Sequence, residues 1–189
     1  MILLSAERGE MAAAAKQVVA YSLQHRPGPG RIIGIDGLSG AGKTSFADAV
    51  AKEINGSVQV VHMDDIYAGW HGLAEAPALL SEWILEPYRD GVTARFLAWD
   101  WGKDCRGEKI TVEPTEWLIV EGVGVGATQS RPYLDVLVWL DCDATVRKER
   151  ALARDGEVLT AHWEMWQEQE QALLEESLPV RTADIAVTT

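Results

Sequence analysis

The order of apolar runs and helical periods along the chain predicts an α/β protein, a parallel sheet with helices on both faces. Three observations predict it. Short apolar runs at Arg31–Asp36, Ser57–Met63, Glu116–Gly122, Leu134–Leu140 and Ala183–Val187 alternate with stretches of three- and four-residue apolar spacing. Between the first run and a helical stretch stands Gly37–Thr44, GLSGAGKT, which fits G-x-x-x-x-G-K-[ST] at every fixed position. Carboxylates follow two of the later runs: Asp64-Asp65 after the second, Glu121 at the end of the third.

The glycine-rich segment has a specific physical meaning. Gly37, Gly40 and Gly42 permit a tight loop whose backbone N–H groups, together with Leu38, Ser39 and Ala41, surround phosphate oxygens. The helix that opens at Lys43 adds unpaired N–H groups and the positive end of its dipole, with Ser45 in its first turn. Lys43 reaches the β- and γ-phosphates, and the Thr44 hydroxyl is a Mg²⁺ ligand. The bare alternative is a glycine turn between strand and helix, and the strand–helix context weighs against it.

Composition bounds the remainder. The chain has 189 residues, 47% hydrophobic and 24% charged, with a formal net charge of −12. One domain (1–189) is expected. The acidic balance argues against a nucleic-acid partner, because polyanion binding needs a basic face. No apolar run approaches the length of a membrane span. The start, with Glu7 and Glu10 and no basic stretch, is not that of a signal peptide. Cys105 and Cys142 form no metal or redox pattern, so free thiols and a cytoplasmic location are expected.

In chain order, Ser5–His25 reads as an alanine-rich helix ended by Arg26-Pro27-Gly28-Pro29-Gly30, so residues 1–30 are an N-terminal helix. After the second strand, Asp64 and Asp65 stand where ligands sit in open parallel sheets, able to take a proton from a hydroxyl or to hold Mg²⁺; a solvated turn is the plainer reading. Trp70 and His71 follow in a glycine-flanked loop, as pocket lining or as packing. A helical stretch covers about Glu75 to Tyr88. Ala94–Trp101 and Lys109–Val112 read as a strand pair around the loop Gly102–Glu108, a hairpin over 92–113. Trp99 and Trp101 then share a face, with Asp100 opposite: either an aromatic wall with a polar anchor or two tryptophans covering a hairpin.

Glu121 follows apolar residues directly, a position costly for a carboxylate without a partner and suited to an acid near Mg²⁺. Past Leu134–Leu140, a helix over 143–158 carries Arg147, Arg150 and Arg154 on one stripe. They read as a lid closing over phosphates, or as a solvated basic face paired with Glu149, Asp155 and Glu157. Thr160–Glu176 is an acidic helix with Trp163, Trp166, Leu173 and Leu174 as its buried side.

Taken together, RIIGID followed by GLSGAGKT, MDDIY after the second strand, AWDW mid-chain, LIVEG, and the Arg-rich helix after LDVLVWLDC resemble the uridine kinase-like family, with nicotinamide riboside, pantothenate and phosphoribulose kinases. The resemblance covers roughly Arg31 to Val187. It implies a P-loop NTPase three-layer αβα sandwich with a five-stranded parallel sheet in the order 2-3-1-4-5. It implies transfer of the ATP γ-phosphoryl to a small-molecule hydroxyl. Asp64 matches the family's catalytic carboxylate, Glu121 its Mg²⁺-associated acid, Thr44 its Mg²⁺-binding hydroxyl, and Arg150 and Arg154 look like its lid arginines. Asp65, Tyr67, Trp70, Trp99, Asp100 and Trp101 are the expected substrate-side residues, with Arg147 joining the phosphate contacts. The chain departs from uridine kinases after AWDW, where Gly102-Lys103-Asp104 replaces a His-Ser-Arg type segment, and Asp65 is closer to the nicotinamide riboside kinase pattern.

The expected function is therefore an ATP- and Mg²⁺-dependent phosphotransferase acting on a small-molecule hydroxyl, a nucleoside-like acceptor favoured. The competing readings are a nucleotide-binding regulatory module and a catalytically inert P-loop protein. The chain has no Asn-Lys-x-Asp stretch of the guanine-specific kind, and it retains Lys43, Thr44, Asp64 and Glu121 together.

Overall fold

The structure is a computed structural model that describes residues 1–6 and 9–189, with Glu157 described by its backbone alone. Eight strands form among the described residues: β1 Ile2–Ser5, β2 Arg31–Asp36, β3 Val58–His62, β4 Ala94–Asp100, β5 Cys105–Val112, β6 Trp117–Glu121, β7 Val136–Asp141 and β8 Ile185–Thr188. The helices are α1 Met11–His25, α2 Lys43–Glu53, α3 Ala76–Leu80, α4 Glu86–Arg89, α5 Ala144–Ser177 and α6 Pro179–Thr182.

Six strands make one sheet in the order β1-β8-β7-β2-β6-β3, every pair parallel. Counted from the phosphate-loop strand, β3-β6-β2-β7-β8 is the expected order 2-3-1-4-5. The sixth strand, β1, extends the sheet beyond β8. All six residues of β2 are buried, as befits a central parallel strand covered on both faces. Its side chains alternate between two cores: Ile32 packs with Met63, Leu118, Val120 and Trp166 on one face, while Ile33 and Ile35 pack with Phe46, Val50 and Val18 on the other. Helices α1 and α2 cover the second face, and the 76–89 segment and the later part of α5 cover the first. This is the three-layer α/β architecture that the alternation predicts.

The N-terminal expectation needs correction. The helix begins at Met11 rather than Ser5, and Ile2–Ser5 pairs with β8 from Ile2↔Ile185 to Ser5↔Thr188. A four-residue edge strand carries too little alternation to be read alone. Glu7 lies outside the described residues. Within α1, Ser22 takes a buried position and Leu23 is exposed.

The 75–88 helix forms with a widened turn at Ser81–Leu85 between α3 and α4. Pro87 lacks an N–H and its ring would crowd the carbonyl four residues earlier; a wide turn relieves both problems. Strands β4 and β5 form a separate antiparallel hairpin, with a tighter turn than predicted and a bulge between Leu97 and Trp99. Helix α5 spans both predicted helices and breaks at Gly156 (φ 60°, ψ −139°), a conformation open in practice only to glycine. Asp143 caps its start, accepting from the N–H groups of Thr145 (2.8 Å) and Val146 (3.3 Å).

Candidate active site

A cleft of about 940 Å³ opens beyond the carboxyl ends of β2, β3 and β6. Its floor is the phosphate loop. Gly42 adopts φ +86° and leaves open space where a Cβ would stand, so the first N–H groups of α2 face the cleft without a side-chain cap. Gly40 (φ +82°) has the backbone carbonyl of Arg147 against it, 2.1 Å from where a Cβ would stand, so only glycine fits. Lys43 donates to the Leu38 carbonyl at 3.1 Å. Burial pushes the Lys43 pKa down, and the carboxylates of Glu170, Glu121, Asp36 and Asp64 resist that shift.

Two acids stand over the loop because their strands end side by side. In the parallel register Glu121 lies between Ile35 and His62. Its buried carboxylate accepts at Oε1 from the Thr44 hydroxyl at 3.0 Å and faces His62 Nδ1 at 2.7 Å. That contact raises the His62 pKa. Asp64 follows β3 in a tight turn and is exposed on the cleft. Desolvation, then the Glu121 charge, raises its pKa.

Thr44 and Glu121 offer two hard oxygens 3.0 Å apart beside an open glycine cradle. Among the described residues no three His, Cys, Asp or Glu side chains converge as a metal cluster. Mg²⁺ is commonly held by one or two protein oxygens, with waters and substrate phosphates completing the shell. The donor set fits it.

The three arginines separate. Arg150 and Arg154 line the cleft, exposed, with Arg154 forked onto Asp155 at 2.8 and 2.6 Å. Arg147 instead is buried and donates to the Ser39 carbonyl at 3.1 Å, so it braces the loop from behind and does not line the cleft. Its stripe position is correct, but the close approach of the helix backbone to Gly40 turns that residue inward. Glu157 lies outside the described side chains.

At the far end, Trp70, Trp101 and Tyr67 line the cleft with Trp166. Trp70 stacks on His162 (4.5 Å between ring centroids) and meets Trp101 and Trp166 edge-on at 5.1 and 5.9 Å. Trp101 donates its indole N–H to the Asp64 carbonyl at 2.9 Å. Tyr67 is buried and donates to the Val123 carbonyl at 2.9 Å. Asp65, Trp99 and Asp100 do not line the cleft. Strand β4 ends at Asp100 and Trp101 stands in the turn beyond it, so the alternation that would pair Trp99 with Trp101 stops short, and Trp99 packs against Gly69 and the Arg106 guanidinium. Asp100 accepts from the N–H groups of Gly102 and Lys103, both at 3.0 Å, and pairs with Lys103. His71 is exposed outside the cleft.

A uridine kinase of Macrococcus caseolyticus is 32% identical over 142 residues, covering 67% of this chain and 69% of that protein. The chain belongs to the uridine kinase family. A uridine kinase of Staphylococcus epidermidis is 30% identical over 140 residues, covering 66% and 68% of the two chains. The solved structure of a possible uridine kinase from Bacillus stearothermophilus superposes with a TM-score of 0.66 over 93% of this chain and 98% of that one, at 23% identity, a likeness of fold. No protein-family model matches the chain. As a member of the uridine kinase family it is a P-loop phosphotransferase.

Four residues of this family member escaped the sequence reading. Asp36, 1% exposed, accepts from the N–H groups of Gly37 (2.7 Å), Gly124 (3.0 Å) and Gly126 (2.8 Å), tying the phosphate loop to the segment after β6. Burial raises its pKa to about 6. Like Glu121, it is an acid closing a fully apolar run, and that was its signal. His62 gave none. Arg106 lies between the rings of Trp83 and Trp99 and donates to the carbonyls of Asp65 and Ile66, at 3.2 and 2.7 Å, holding the turn that carries Asp64. Glu170 is buried in the acidic helix, on the stripe of Trp163, Trp166 and Leu173. An acid on an apolar stripe is the signal that marks it.

Proposed function

We propose that this enzyme transfers the γ-phosphoryl of ATP, with Mg²⁺, to a hydroxyl of a small molecule, with a nucleoside-like acceptor favoured. The observation that carries this reading is the single cleft running from the phosphate loop to the aromatic end, with Asp64 between them. The loop amides and Lys43 hold the phosphates. Thr44 and Glu121 would hold Mg²⁺, which neutralises phosphate charge when bound. Asp64 accepts the proton of the acceptor hydroxyl as that oxygen bonds to the γ-phosphorus. The bond to the β-side bridging oxygen breaks, and its electron pair leaves with ADP. The raised pKa of Asp64 makes it a stronger base than an ordinary aspartate. Arg150 and Arg154 stand on the cleft wall, where they stabilise charge on the transferring group. Trp70 and Trp101 offer ring faces to a flat acceptor.

The test is ADP production from ATP, with and without a panel of nucleosides, nicotinamide riboside, pantothenate, sugars and sugar phosphates, beside Asp64→Asn. Stimulation by one acceptor, lost in D64N, is expected. Stimulation that persists in D64N removes Asp64 from the role of base. MgATP binding with no stimulation by any compound favours a nucleotide-dependent binding module.

A further inference from the structure

Ser39 is third in the phosphate loop, and helix α5 engages all three of its polar groups. The Ser39 N–H donates to Glu170 Oε1 at 2.8 Å, the carbonyl accepts from Arg147 Nη1 at 3.1 Å, and the hydroxyl oxygen accepts from Trp166 Nε1 at 2.9 Å. Trp166 also shares its N–H with Glu170 Oε1 at 3.2 Å. Arg147 lies before the Gly156 break and the other two after it, so both arms of α5 close on one residue.

Glu170 is 2% exposed and does not line the cleft. A buried carboxylate is costly, and beside a phosphate site its charge also opposes the ligand. What it supplies is geometry. One oxygen receives a loop N–H and an indole N–H; without it the Ser39 N–H is orphaned, while the indole keeps the Ser39 hydroxyl.

We propose that Glu170 is a positioning residue for nucleotide binding. By fixing the Ser39 peptide it keeps the amides from Gly40 to Thr44 aimed into the cleft. This inference rests on reading the loop as the ATP site. A competing role is purely electrostatic, because Glu170 is the leading carboxylate attraction on Lys43. The two roles separate by substitution. Glu170→Gln keeps an oxygen at the same reach and discards the charge; Glu170→Asp keeps the charge and withdraws it by one methylene.

MgATP affinity by titration calorimetry, KM for the acceptor and thermal unfolding are measured for wild type, E170Q and E170D. The expected result is E170Q binding MgATP as tightly as wild type or tighter, E170D about tenfold weaker, and an unchanged acceptor KM in both. E170D equal to wild type overturns the inference, and so does E170Q weakened tenfold, the signature of charge alone. Should E170D fail to fold, Trp166→Phe decides, since it removes the N–H shared between Glu170 and the Ser39 hydroxyl. About threefold weaker MgATP binding is then expected, and unaltered binding overturns the inference. A wild-type protein that binds no MgATP overturns the ATP reading of the loop and this inference with it, whereas binding by wild type with the wrong order of variants overturns this inference alone.

Discussion

The two ends of the cleft are built by different means. The phosphate end comes from one contiguous stretch, β2 through the first turn of α2, and presents backbone N–H groups to the cleft. The aromatic end is assembled from remote segments: Trp70 after β3, Trp101 on the hairpin, His162 and Trp166 on α5. Backbone chemistry tolerates no substitution at its glycines, whereas side-chain chemistry on separate elements can change piece by piece. The phosphate end is thus the fixed part of the site and the aromatic end the adjustable part.

The sharpest way to break the phosphate end is Lys43→Ala, expected to lower kcat/KM for ATP by about 10³-fold, as for loss of a major charge-stabilising donor. Steady-state kinetics at saturating acceptor measure it, and a loss under tenfold would remove Lys43 from that role. The next effect is on stability. Because the folded pKa of Asp36 is raised to about 6, the native state holds the proton more tightly than the unfolded chain. Its contribution is therefore favourable at low pH and declines as pH rises from the unfolded carboxylate range through about 6, by roughly 3 kcal/mol. Thermal unfolding across that window should show this decline in wild type, and Asp36→Asn should remove that component of the slope. An identical slope in the variant would contradict the assignment.

At the other end, Asp64→Asn should lower kcat by about 10²-fold with little change in nucleotide affinity, the usual cost of losing a general base. Rapid-quench measurement of the chemical step tests it. The smallest effect is expected from Trp101→Phe. The ring is kept and the donor to the Asp64 carbonyl is lost, so kcat should fall about fivefold while KM for ATP stays put. If KM for ATP moves with it, the two ends are not separable.

The same contrast governs what could be read in advance. GLSGAGKT, the strand runs and the acids at strand ends were legible because each is local: a loop, a run, a residue at its close; the strand order came only with the family resemblance. Glu170 lies 131 residues from Ser39, and no spacing rule connects them. The pairing of Trp99 with Trp101 fails for a local reason: the strand ends at Asp100, and Trp101 stands in the turn outside its alternation. Arg147 was placed on the correct stripe, but the approach of α5 to Gly40, which turns it toward the loop, is a tertiary fact. Ile2–Ser5 became a strand only because β8 offered it an edge.

The break at Gly156 makes α5 an arch over the cleft, pinned at one foot by Arg147 and at the other by Trp166 and Glu170. An arch fixed at both feet yields at its crown. Backbone amides flanking Gly156 should therefore exchange with deuterium through local opening, while those at the two feet exchange only with wider unfolding.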